Sequence, residues 1–562
     1  MGIENVQENN LIKKQKPERY AGASPHIENL DLKEKFKELL EKCETSKRQV
    51  GLNLINTRLW MDELSKKYQR PITIDTVPDN EWEELFEQYD MFWFMGIYTP
   101  SQAGKNEAKT HADEYTYAPP DIDREKDVVA SPFAIPAYSP NSQIAKDWGS
   151  WDEMEKKLHE HKKKVIIDFV PNHTALDHAW AKEHPEYYIL GTQAQYEANK
   201  NFYYPVVAND KKTYYIAHGK DPNYPAWTDT LQLNYATPVV QEKMQDILLS
   251  LVEHADGVRC DMAMLLNSDT FIQTWGWCLS EKQKQYIRQH EFWEHTIPLV
   301  KSEARDIGGK DFYFIAEAYW DKEKLGKYFD YIYGKDFYDH LKKIAREETS
   351  PKNLKSHIEH LITSAREGRH YKDVLFIENH DEERAIKTFG EEASKAASVL
   401  AGLIPDSIFL INQGQTDGRK IRPPMQTGRW PEEPTHNRIR EHYEKLLSLK
   451  HTNLFENGDW KMAEIHTLFP SIQAVKVEAT DKTGINKKMS EYELGTIILT
   501  NFSKTEADCR IPQITGDYEI EVQSMLSGVI LNPDTECRGG LYVGLKPWET
   551  QIVFYCGKRM VK

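Results

Sequence analysis

Cysteine is scarce: six in 562 residues, none in a C-x-x-C pair. That excludes a disulfide framework and a zinc ribbon. Lys and Arg are outnumbered by Asp and Glu, 72 against 88, for a formal net charge of −16. No stretch gathers the basic residues into a stripe, which excludes nucleic-acid backbones and acidic membrane surfaces as partners. No apolar run approaches the roughly 18 to 20 residues that span a bilayer. The opening MGIENVQENNLIKKQKPERY has no apolar h-region. No Gly-rich phosphate fingerprint follows the first strand, which argues against a dinucleotide cofactor. The expectation is a reduced, cytoplasmic chain with no membrane or nucleic-acid partner, and nothing in the patterning specifies an oligomer.

What is present is length, aromatic residues and a strand–helix rhythm. At about 100 to 200 residues per domain, 562 residues predict several domains. Residues 1–48 are polar and read as an N-terminal arm with one helix over 32–43. Over 49–455, short apolar runs at 52–56, 91–95, 165–168, 312–315 and 374–377 alternate with amphipathic helices. Continuous apolar runs suit strands buried on both faces of a parallel sheet. Ser150 followed by Glu153 reads as a capping box opening a helix toward His161. Thr237-Pro238 opens another, and Ile439, Tyr443, Leu446 and Leu447 repeat at helical spacing. Repeated alternation over this length predicts an α/β fold, a (β/α)8 TIM barrel. Residues 174–229 are irregular and aromatic, an excursion out of the barrel. From 456 to 562 the pattern changes to alternating strands at 472–477, 496–500, 518–522 and 550–555, a C-terminal antiparallel β-sandwich.

Chemistry in such a barrel belongs at the C-terminal ends of its strands. Four predicted strands run into acidic or His-bearing clusters: Asp168-Phe169-Val170-Pro171-Asn172-His173, Gly257-Val258-Arg259-Cys260-Asp261, Phe314-Ile315-Ala316-Glu317 and Glu378-Asn379-His380-Asp381. Residues two apart on a strand share a face, so Arg259 and Asp261 project together and Cys260 points away. The guanidinium is expected to depress the Asp261 pKa and hold it as an anion. An ion pair that merely packs is the other reading. Glu317 lies among apolar residues, where desolvation raises a carboxyl pKa as a general acid requires. A Glu pairing with a helix Lys is its alternative. His173 and His380 could hydrogen-bond vicinal hydroxyls, or with Asp168 and Asp381 hold a metal. Glycoside cleavage needs two such carboxyls in different protonation states.

With these residues in register the sequence resembles the α-amylase family of glycoside hydrolases over roughly residues 51–450. The four clusters are similar, in order, to that family's D-x-V-x-N-H, G-x-R-x-D, Glu-bearing and N-H-D signatures. The resemblance implies Asp261 as nucleophile, Glu317 as general acid/base and Asp381 as transition-state stabiliser. Arg259 would orient Asp261, and His173 and His380 would contact the sugar. It also implies that 174–229 is the inserted domain B. The function expected is a retaining α-glycoside hydrolase or transglycosylase acting on α-linked glucosides or oligosaccharides, with a carbohydrate as its partner. A catalytically silent carbohydrate-binding or scaffold relative of the same fold is the alternative. Phe133 falls where the family has a stacking Tyr, while Ala134 and Ala137 replace two Asp. The spacing of 56 residues from Asp261 to Glu317 suggests an added loop over 275–286 at the mouth of the site. Domain B shows no evident acidic cage, so a structural calcium is possible but has no evident site; no other cofactor is expected, and without zincin spacing or a His-x-His pair no catalytic metal is.

Overall fold

Eight parallel strands close into a barrel in the computed structural model: β1 (Gly51–Asn56), β2 (Met91–Met95), β3 (Lys164–Phe169), β4 (Gly257–Cys260), β5 (Tyr313–Ala316), β6 (Tyr331–Tyr333), β7 (Lys372–Leu375) and β8 (Ser407–Asn412). They pair in chain order, and β8 closes on β1 with Gly51 opposite Phe409. The structure describes residues 51–111, 123–429, 431–480, 492–514, 518–524, 530–531 and 540–558. The arm over 1–48 and its expected helix lie outside the described residues.

The apolar runs make these strands because both faces are covered, as β2 (Met-Phe-Trp-Phe-Met) and β8 (Ser-Ile-Phe-Leu-Ile-Asn) are buried throughout. Gly257 opens β4 where a side chain has no room: a Cβ there would lie 2.4 Å from the Tyr313 carbonyl oxygen and 2.9 Å from Ile166 Cδ1. That close approach accounts for the Gly heading the Arg259–Asp261 cluster. The seventh strand ends earlier than its apolar run, at Leu375, while Phe376 and Ile377 stay buried beyond it. An apolar run records burial, and burial outlasts the ladder here.

Helices cover the barrel's outside. The helix expected from Ser150 begins sooner, at Trp148, because Asp147 takes the cap and accepts from Ser150 N at 2.9 Å. The helix Pro238–Leu251 has Thr237 at its cap and Pro at its first position. Between β4 and β5 the expected loop over 275–286 is mostly helical, with Ser268–Trp275 and Glu281–Gln289. Ser280 and Gln283 form a reciprocal capping box that starts the second helix.

Between β3 and the helix Pro238–Leu251 lie two small antiparallel sheets, His173–Ala175 with Thr230–Gln232, and Leu190–Gly191, Thr213–Ala217 and Tyr203–Val207. After the barrel a six-stranded antiparallel sheet faces a two-stranded one, Ala507–Ile511 with Leu541–Leu545. Alternation divides the larger sheet: Ile472, Ala474, Ile497 and Leu499 join the small sheet's core, while Val475, Val477 and Ile498 join the barrel's. The result is a β-sandwich docked on the barrel.

Candidate active site

The strand ends β3, β4, β5 and β7 converge on one guanidinium. Arg259, on β4, is fully buried. Its Nη1 donates to Asp261 at 2.9 Å, its Nη2 donates to Glu317 at 2.6 Å, and Asp168 lies 3.5 Å from Nη1. The two carboxylates singled out in the sequence as nucleophile and acid/base candidates are therefore held on the two terminal nitrogens of a single side chain. The rings of Trp93 and Phe133 lie 4.9 and 5.0 Å from its central carbon. Backbone bonds fix the strand ends: Asp261 N donates to the Phe169 carbonyl at 2.9 Å and Glu317 N to the Cys260 carbonyl at 3.1 Å. Cys260 points into the core and takes no part in the cluster.

Beyond Asp261 the chain turns sharply. Met262 occupies the left-handed region at φ 45°, unusual for a residue with a side chain. The turn aims its amide at Glu317 Oε2, which accepts it at 2.9 Å. Asp381, after β7, is partly exposed and lies 3.1 Å from His380 Nε2. His380 is boxed by Trp93 and Phe133, ring centroids 5.2 and 5.3 Å away. Phe133 thus stands in the site. His173 lies beside Trp227, 5.2 Å between centroids, and its Nδ1 is 3.3 Å from Asn172 Nδ2. Burial lowers its pKa to about 4, so it is neutral at neutral pH. All six residues singled out in the sequence line this region.

The electrostatics differ from expectation at Asp261. Burial pushes its carboxyl up to about 6, outweighing Arg259. The guanidinium is shared among three carboxylates, and Asp168 is likewise pushed up to about 6 by burial. Asp261 remains an anion at neutral pH, with little to spare. Burial also raises Glu317, with Asp261 and Asp381 adding to it against Arg259. At Asp381 the balance is reversed: burial acts upward, but His380, Arg259 and Arg422 hold the carboxyl below its usual range. One acid is poised to keep a proton and another to stay ionised, side by side.

Other residues here escaped the sequence reading. Trp93 Nε1 donates to Asp168 Oδ1 at 3.1 Å, and the Tyr98 hydroxyl to the Asp168 carbonyl at 2.8 Å. Tyr319 donates to Glu317 Oε1 at 2.6 Å. Its spacing, two residues after Glu317, is the same signal that paired Arg259 with Asp261. Arg422 donates to the Asp381 carbonyl from a loop 41 residues away, where no local signal exists.

The metal alternative has no support in this cluster. Among the described residues, the carboxylate and His atoms close enough to share an ion belong to Glu155, His159 and Asp256. These lie at the opposite, N-terminal end of the barrel, where Lys164 already sits 2.9 Å from Asp256 and Lys310 3.5 Å from Glu155.

The chain is similar to known proteins. The family described as "Alpha amylase, catalytic domain" matches residues 141–422. The chain is 25% identical over 388 residues to "Alpha-amylase 3" of Dictyoglomus thermophilum, covering 60% of this chain and 70% of that one. It is 25% identical over 289 residues to "Alpha-glucosidase" of Apis mellifera, covering 45% of this chain and 48% of that one, about half the bee protein's length. An α-amylase structure from Lactobacillus plantarum superposes with a TM-score of 0.60 at 15% identity, over 92% of this chain and 99% of that one. Among the described residues no helix is long and apolar enough to cross a membrane.

Proposed function

This chain belongs to the α-amylase family of glycoside hydrolases, and we propose that it cleaves or transfers α-linked glucosyl residues by double displacement, with Asp261 as nucleophile, Glu317 as acid/base and Asp381 as stabiliser of the sugar cation. The observation that carries this reading is the fork of Arg259, which sets Asp261 and Glu317 on adjacent nitrogens at 2.9 and 2.6 Å. In the first step an Asp261 oxygen forms a bond to the anomeric carbon. The glycosidic bond's electron pair leaves with the departing oxygen, which takes the Glu317 proton. In the second, water or a sugar hydroxyl gives its proton to Glu317 and attacks the same carbon, releasing Asp261. Two inversions leave the configuration retained. His173, His380 and Phe133 would hold the sugar between them, and Asp381, ionised throughout, would oppose the developing positive charge.

A loop contact favours the chain end as the site of attack. The segment before Phe133 and the loop after β8 are laced together: Val128 bridges Thr427, Val129 N donates to the Gln426 carbonyl at 2.9 Å and Gly428 N to the Asp127 carbonyl at 2.8 Å. Asp127 and Arg429 add an ion pair at 2.8 Å. The same two loops reach the site through Phe133 at His380 and Arg422 at Asp381. This strap ties together the two loops that carry Phe133 and Arg422 to His380 and Asp381, which favours a terminal residue there over a continuing chain.

The test is to follow the first-formed anomer by NMR for wild type and Asp261→Ala across a panel of α-glucosides, with and without a blocking group at the non-reducing end. Retention by the wild type, loss in Asp261→Ala and refusal of the blocked substrates are expected. Inversion, or a fully active Asp261→Ala, rejects the assignment. Cleavage of blocked substrates rejects terminal action alone.

A further inference from the structure

The two oxygens of Glu317 have unlike surroundings. Oε2 accepts from Arg259 Nη2 at 2.6 Å and from Met262 N at 2.9 Å. Neither donor can turn into an acceptor, so a proton on Oε2 would face two others. Oε1 accepts from the Tyr319 hydroxyl at 2.6 Å. A phenol oxygen can donate or accept, so it is compatible with either protonation state of Glu317. Tyr319 is 39% exposed, among the few large aromatic side chains of the barrel so open to solvent, and it reaches Glu317 from the rim.

We propose that Tyr319 is a positioning residue for the proton donor, confining the acid proton to Glu317 Oε1 and presenting it to the departing oxygen. This deepens the reading of Glu317 as acid/base and rests on it. With Glu317 ionised, Tyr319 donates to Oε1 and favours the carboxylate. With Glu317 protonated, the proton on Oε1 points to the phenol oxygen until the substrate's departing oxygen takes that place. The proton then moves to the departing oxygen as the glycosidic bond breaks, and Tyr319 again donates to the carboxylate that remains.

The groups facing Glu317 are Asp168 from the β3 end, Arg259 and Asp261 from the β4 end, Asp381 from the β7 end, and Tyr333 on β6. Although the ring is open at the rim, removal of the hydroxyl from water where it meets Glu317, with the charges of Glu317 and Asp381, pushes the Tyr319 phenol well above its ordinary value, so it remains a donor across the working range. Against the net upward shift at Glu317, the Tyr319 bond acts downward.

Tyr319→Phe keeps the ring and removes the hydroxyl. Kinetics would be compared on α-glucosyl fluoride, whose leaving group needs little protonation, and on an alkyl α-glucoside, whose leaving group needs it fully. The alkaline limb of kcat/KM should move up by about 1 to 2 pH units, the effect of losing one hydrogen bond to a charged group. Activity on the alkyl glucoside should fall about tenfold while the fluoride is spared. An equal loss on both substrates, or an unmoved alkaline limb, overturns the proposal, because a merely structural tyrosine would act that way. A wild type inert toward both substrates overturns instead the function on which it rests.

Discussion

Replacing Arg259 by Lys tests the fork directly. The guanidinium bonds two buried carboxylates at once, at 2.9 and 2.6 Å, with a third at 3.5 Å. An ammonium is a point charge on a flexible stem and cannot bridge both in the same plane. The variant therefore keeps the charge and loses one charge-assisted bond, leaving a buried oxygen without its donor. That bond and the unsatisfied acceptor together amount to about 2 to 4 kcal/mol. If the loss falls on the transition state, kcat/KM drops about 30- to 900-fold. The pH profile should change as well. The acid limb of the wild type reflects Asp261, whose carboxyl burial has pushed up to about 6. Weakening the one favourable cation in contact with it moves that limb further up. The assay is kcat/KM on an aryl α-glucoside across the pH range, beside a thermal melt that establishes folding. A folded Arg259→Lys with a loss under about threefold and an unmoved acid limb would refute the reasoning.

Two further outcomes follow from the same charges. Asp261 titrates at about 6 in the folded chain against 3.8 in the unfolded one, so the folded state holds its proton longer and stability falls as pH rises through that window. The difference amounts to about 3 kcal/mol at neutral pH. Asp261→Asn should therefore melt higher than the wild type at neutral pH, the gap closing below about pH 4; a lower melting temperature at neutral pH would contradict this. Chelation should leave activity intact, because Arg259 supplies the positive charge among the site's carboxylates; loss with EDTA, restored by a divalent ion, would show that a metal is required.

Barrel, sandwich and strand-end clusters were legible in the sequence because each rests on a local period. Continuous apolar runs named β2 without error, and the spacing of Arg259 and Asp261 placed them on one face. The same spacing would have paired Tyr319 with Glu317 had it been applied past the strand. The misjudged features are those where local signals compete or tertiary burial decides. Asp147 outranked Ser150 as a cap, and the Ser280–Gln283 box turned an expected loop into a helix. At Asp261 one visible neighbour, Arg259, argued for a lowered pKa. The opposing effect, removal from water inside the barrel, exists only once the strands have closed. Arg422 and the strap between Val128 and Thr427 depend on loops brought together from far apart in the chain, a juxtaposition no window of sequence contains.

In the proposed reaction Asp261 attacks the anomeric carbon while Glu317 supplies the proton. Incubation with 5-fluoro-α-glucosyl fluoride, whose glycosyl-enzyme breaks down slowly, followed by proteolysis and mass spectrometry, tests it most directly. A single fluoroglucosyl adduct is expected on the peptide carrying Asp261, absent from Asp261→Asn; an adduct on Glu317 or Asp381, or turnover with inversion and no adduct, would rule out Asp261 as the nucleophile.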